Sequence, residues 1–171
     1  MERPDFISNY RDHMDEDNCS YPNSAELLSQ GAPIGRKLGL KKIGLHVETL
    51  APGRRTSWPH AEETEEEFVY VLEGTPQAWI DGRVYDLREG DLVAFPAGTG
   101  TAHTILNNSA DVVRLLVGGE TDRSDNRIFY PLHPARNAEC EEKGWYWEGH
   151  PENPLGDHDG LTDKLRKSPV D

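Results

Sequence analysis

The chain has 171 residues, 35% of them hydrophobic and 29% charged, which is enough for one domain with a real core. A formal charge of −13 repels phosphate backbones and anionic lipid, so neither nucleic acid nor membrane is expected as a partner. No apolar run is long enough to cross a bilayer, and Met1-Glu2-Arg3-Pro4-Asp5 lacks the start of a secretory signal; the expectation is a cytoplasmic protein whose Cys19 and Cys140 are free thiols.

Residues 1–35 read as a polar N-terminal arm, with a short helix over 25–30 that Asn23 or Ser24 caps. Residues 36–119 break into short runs of Val, Ile, Leu, Phe and Tyr between turn residues, the rhythm of an all-β sandwich or barrel. The predicted strands are 41–50, 55–60, 67–73, 77–80, 83–87, 92–95, 102–107 and 112–117. Asp81-Gly82 accepts the positive φ angles of a type I′ turn and predicts a hairpin between 77–80 and 83–87. Pro96 to Gly100 reads as a loop leading into the strand that carries His103.

Residues 120–171 shift to Pro, Asp, Glu and His but keep Phe129, Tyr130, Trp145, Tyr146 and Trp147, which are costly to leave in water. This C-terminal extension is therefore expected to pack on the barrel or on a partner subunit, and it predicts a homodimer.

His60 and Glu62 lie two apart in an extended segment, so their side chains share a face. Glu67 opens the next apolar run, and a closed barrel brings His103 alongside. Two imidazoles and two carboxylates suit Zn, Mn or Fe(II), with Zn preferred. Glu62 has two open readings: fourth ligand, or general base beside a His60, Glu67 and His103 triad. Glu67 is the second candidate catalytic carboxylate. Glu63, Glu65 and Glu66 read as a solvated acidic run. Arg54, Arg55 and Trp58 are expected at the pocket mouth, where a guanidinium pairs with an anionic substrate group, and Asn107 joins them as a substrate-binding candidate. His46 reads as a structural histidine in a strand, and His13, His133, His150 and His158 as loop residues.

Gly53, His60-Ala61-Glu62, Glu67 and Gly74, followed by Gly90, Pro96, Gly98, His103 and Asn107, resemble the two sequence motifs of the cupin superfamily. The resemblance covers the barrel and not the ends; Glu62 stands where most metal-binding cupins have a second histidine. It implies a double-stranded β-helix, or jelly-roll barrel, with irregular extensions at both termini. It also implies one divalent metal ion and a small polar molecule held in the barrel. Small single-domain bacterial cupins include possible sugar-phosphate isomerases, which makes an isomerase or epimerase the first functional expectation. An Fe(II)-dependent dioxygenase and a non-catalytic ligand-binding module are the alternatives.

Overall fold

The structure is a computed structural model that describes residues 3–121 and 123–167. In chain order its strands are β1 (Gln30–Ala32), β2 (Ile43–Leu50), β3 (Ala61–Glu62), β4 (Glu67–Glu73), β5 (Gln77–Ile80), β6 (Arg83–Asp86), β7 (Leu92–Phe95), β8 (His103–Leu106), β9 (Val113–Glu120) and β10 (Ile128–Phe129). Three α-helices accompany them: α1 (Ile34–Lys37), α2 (Pro134–Glu142) and α3 (Asp163–Lys167). The described strands make a five-stranded sheet in the order β1-β2-β9-β4-β7, a three-stranded sheet β6-β5-β8, and the pair β10-β3.

Alternation along the strands explains why the two larger sheets face each other. Leu50, Val69, Val71, Phe95, Val113 and Leu115 of the first sheet meet Ala78 and Ile105 of the second in one buried cluster. The opposite face of the three-stranded sheet carries Trp79 and Leu106, which pack with Ala61, Ala102 and Trp147. The Trp79 Nε1–H group donates to the His158 carbonyl at 2.8 Å. Tyr130 and Trp147 are buried, whereas Trp145 is half exposed.

The β5–β6 hairpin turns at Asp81-Gly82 as expected, both residues having positive φ (45° and 77°). Gly82 is also required by contact, because a Cβ there would run into the backbone of Gly156.

Three expectations need correction. Residues 55–60 are not a continuous strand; they meet β8 through isolated bridges at Arg55↔Leu106 and His60↔His103 and through hydrogen bonds of Thr56 and Ser57 to Ile105 and Thr104, and Pro59 has no N–H for a ladder. The sheets therefore do not join into a closed barrel, and the arrangement is that of two facing sheets consistent with a double-stranded β-helix. Residues 25–30, expected as a helix, are not helical: Ser24 Oγ accepts from the Glu26 N–H in a local turn, Glu26, Leu28 and Ser29 are buried, and Gln30 begins β1.

Arg55, 1% exposed, ties these parts together. Its guanidinium donates to both carboxylate oxygens of Glu26 (2.6 and 2.8 Å) and to the Gly160 carbonyl (2.8 Å). Among the described residues no helix is long and apolar enough to cross a membrane, and Cys19 and Cys140 are free.

Candidate metal centre

His60 and His103 are brought side by side by backbone pairing. Each donates its N–H to the other's carbonyl (3.2 and 2.9 Å), and the ring centroids lie 5.0 Å apart. Glu67, the first residue of β4, pairs with Phe95 of β7 and Gly119 of β9. It therefore points from the five-stranded sheet toward the two imidazoles. Its Oε2 is 3.0 Å from His103 Nε2 and 3.8 Å from His60 Nε2. One ligand atom from each of His60, Glu67 and His103 lies within 4.8 Å of the others.

The remaining ring nitrogens face backbone carbonyls, His60 Nδ1 toward Trp58 O at 2.9 Å and His103 Nδ1 toward Thr101 O at 3.3 Å. With the proton on Nδ1, each ring turns an Nε2 lone pair to the common point, the tautomer a metal-bound histidine needs. Phe95 stacks on His103 with centroids 3.5 Å apart and planes 4° from parallel, which fixes that ring. Two lone pairs and a carboxylate aimed at one spot repel unless a proton or a cation lies between them. This donor set fits a divalent cation in a two-histidine, one-carboxylate arrangement.

Charge at the site follows from burial and proximity. Burial lowers the His60 pKa, and His103 lowers it further. Burial alone would raise Glu67, but with a proton in the cation's place on His103 Nε2 the hydrogen bond from that ring, together with the neighbouring imidazoles, outweighs it and holds the carboxyl well below its usual range.

Glu62 lies outside the converging triad. It sits in β3, which pairs with β10 through Ile128, and its buried Oε2 has no hydrogen-bond partner. Burial, with Glu67 and Glu65 adding repulsion, pushes its carboxyl upward.

The cavity at the triad has a volume of about 90 Å³, and its lining includes Glu48, Thr56, Ser57, Val69 and Val117. Arg54, Arg55, Trp58 and Asn107 are not among its lining residues. Arg54 pairs with Asp17, and Arg55 is held by Glu26. The Trp58 indole donates to Glu26 at 3.0 Å and is sandwiched between Tyr21 and His133. Asn107 Nδ2 donates to the Leu50 and Asp111 carbonyls.

Sequence reasoning overlooked Glu48. It shares the inner face of β2 with His46 and Leu50, accepts a hydrogen bond from Ser29 Oγ at 2.6 Å, and is pushed up to about 7 by burial despite that bond. The signal was the period of two that places a carboxylate on the face carrying Leu50.

Residues 46–119 match the family model described as Cupin domain. No curated protein matches the sequence. Among solved structures, a protein of Acidithiobacillus ferrooxidans provisionally named a sugar phosphate isomerase is 30% identical, with a TM-score of 0.58, covering 60% of this chain and 65% of its own. A sugar phosphate isomerase of the cupin superfamily from Silicibacter pomeroyi is 28% identical, also at 0.58, with 60% and 64% covered. The chain thus spans just under two thirds of the length of each. The polyketide cyclase RemF of Streptomyces resistomycificus, 20% identical, aligns over 86% of this chain and 99% of its own with a TM-score of 0.58, and shares the fold.

Proposed function

We propose that the protein is a metal-dependent enzyme acting on a small polar metabolite, most concretely an isomerase or epimerase of a sugar or sugar phosphate. The observation that supports this best is the convergence of His60 Nε2, His103 Nε2 and Glu67 Oε2 on one point inside a cavity. Names of the two aligned isomerases point to the same substrate class. Zinc is the ion proposed for the site, with Mn and Fe(II) next.

When bound, the ion supplies Lewis acidity toward a carbonyl or hydroxyl of the substrate. The chain supplies the rest. Carbonyls of Trp58 and Thr101 orient the two imidazoles, Phe95 keeps His103 from turning, and Glu67 contributes the negative charge. Glu48, whose carboxyl lines the cavity, is placed to give up or take a proton, and Glu62 is the second candidate for that role. The proposal extends to a cytoplasmic homodimer, for which half-exposed Trp145 offers apolar surface.

The second reading, an Fe(II)-dependent dioxygenase, is favoured by the composition of the triad itself, two histidines and one carboxylate. Elemental mass spectrometry on protein purified without chelators, compared with His60→Ala and His103→Ala, tests the site. Close to one Zn or Mn per chain, lost in both variants, is the expected result, and iron would transfer the proposal to the dioxygenase. Absence of metal after reconstitution would overturn both enzymatic readings in favour of a ligand-binding module. Proton NMR of candidate sugar phosphates in D2O then tests the chemistry: deuterium entering the carbon next to the carbonyl is expected with wild type and not with His103→Ala.

A further inference from the structure

Positive charge is unevenly placed in this acidic chain. Arg36, Lys37, Lys41 and Lys42 fall within residues 36–42, a stretch with no acidic residue. Arg36 and Lys41 line a cavity of about 240 Å³ together with Gly44, His46 and Thr121. The loop is held in place by Thr121 Oγ1, which donates to the Lys41 carbonyl at 3.0 Å. Small-molecule ligands usually occupy roughly 300–1,000 Å³, so this space suits an end group and not a whole substrate.

Strand register connects that space to the metal centre. Gly44 on β2 pairs with Gly119 on β9, which in turn pairs with Glu67 on β4. Neighbouring strands are about 4.8 Å apart, so Gly44 lies roughly 10 Å from Glu67 along one row of the inner face. Both positions leading from the basic cavity toward Glu67 lack side chains. A second cavity of about 340 Å³, whose lining includes Lys42, Glu66, Glu67, Phe95, Gly119 and Glu120, shares Ile43 with the first. One end group in the basic cavity and a reacting centre at Glu67 are thus separated by about the length of a phosphorylated chain of a few carbons.

We infer that Arg36 and Lys41 form an anion subsite that holds the phosphate of a phosphorylated hydroxy-carbonyl substrate while its other end reaches His60, Glu67 and His103. The inference rests on the proposed function and narrows its substrate class to phosphate monoesters. Guanidinium and ammonium groups donate charge-assisted hydrogen bonds to phosphate oxygens, and the surrounding acidic surface disfavours anions elsewhere.

Isothermal titration of the full chain with ribose 5-phosphate, ribose and inorganic phosphate tests this. Ribose 5-phosphate is expected to bind about tenfold or more tighter than ribose, and tighter than inorganic phosphate, which lacks the end that reaches Glu67. Arg36→Gln combined with Lys41→Gln is expected to remove that preference, while Lys37→Gln, outside both cavities, leaves it intact. Equal binding of ribose and ribose 5-phosphate, a preference that survives the double variant, or an equal loss in Lys37→Gln would overturn the subsite. Inorganic phosphate binding as tightly as the ester would overturn the link to the metal centre. Zn titration of the same proteins separates the two ideas: the double variant should bind Zn as wild type does, and a wild type that binds ribose 5-phosphate but no Zn would refute the metal centre and leave the anion subsite standing.

Discussion

Replacing Glu26 with Ala removes the charge that compensates Arg55. Arg55 and Glu26 side chains are 2% and 9% exposed, so water cannot step in for the lost carboxylate. The guanidinium would keep only the Gly160 carbonyl, and Trp58 Nε1 would lose its acceptor as well. Breaking a buried ion pair from one side costs about 3–5 kcal/mol. For a chain of this size each kcal/mol moves the midpoint by about 2–4 °C, which gives a fall of about 6–20 °C in Tm. Glu26→Leu with Arg55→Met removes both charges and should cost well under the sum of the single variants. Thermal melts followed by circular dichroism, with urea titrations alongside, measure all of them. A Glu26→Ala Tm within about 3 °C of wild type, or a double variant that loses the full sum, would refute the assignment of this pair as a structural tie.

Glu48 makes stability depend on pH in a direction unusual for a carboxylate. Its folded pKa of about 7 lies above the ordinary 4.5, so the folded state holds a proton that the unfolded chain releases between those values. Stability should therefore fall as pH rises from 4.5 to 7 and stay reduced above, by about 3 kcal/mol from this group. In protein stripped of metal, Glu48→Gln should flatten that part of the urea stability profile; an unchanged slope would show that Glu48 ionises freely. Gly82→Ala should cost about 2 kcal/mol or more, because its φ of 77° and the adjoining Gly156 backbone both oppose a methyl group. A urea midpoint equal to wild type would remove the hairpin turn from the features that fix the fold.

The hairpin at Asp81-Gly82 and strands β2, β4, β7 and β9 of the first sheet were legible because turn chemistry and period-two burial are local signals, whereas β1 was not, lying in what reads as a polar arm. His60, Glu67 and His103 could be selected from their motif spacing, but their convergence depends on pairing between β8 and residues 55–60, which no local pattern states. Arg54 and Arg55 show the limit most clearly. Nothing near them in sequence reveals that Asp17 and Glu26 wait in the N-terminal arm to take their charges. Glu48 was hidden for a related reason: a carboxylate in a strand is ordinarily solvated, and only the opposing sheet turns its surroundings into an interior.

Phe95 against His103 carries a consequence of a different kind. A histidine on an open loop surrenders side-chain freedom each time it captures something, whereas this ring has already surrendered it in folding. The aromatic partner thus converts part of the stability of the core into affinity at a residue it does not resemble chemically. Evolution of this site toward another ligand can proceed by retuning that flat apolar neighbour while His60, Glu67 and His103 stay the same.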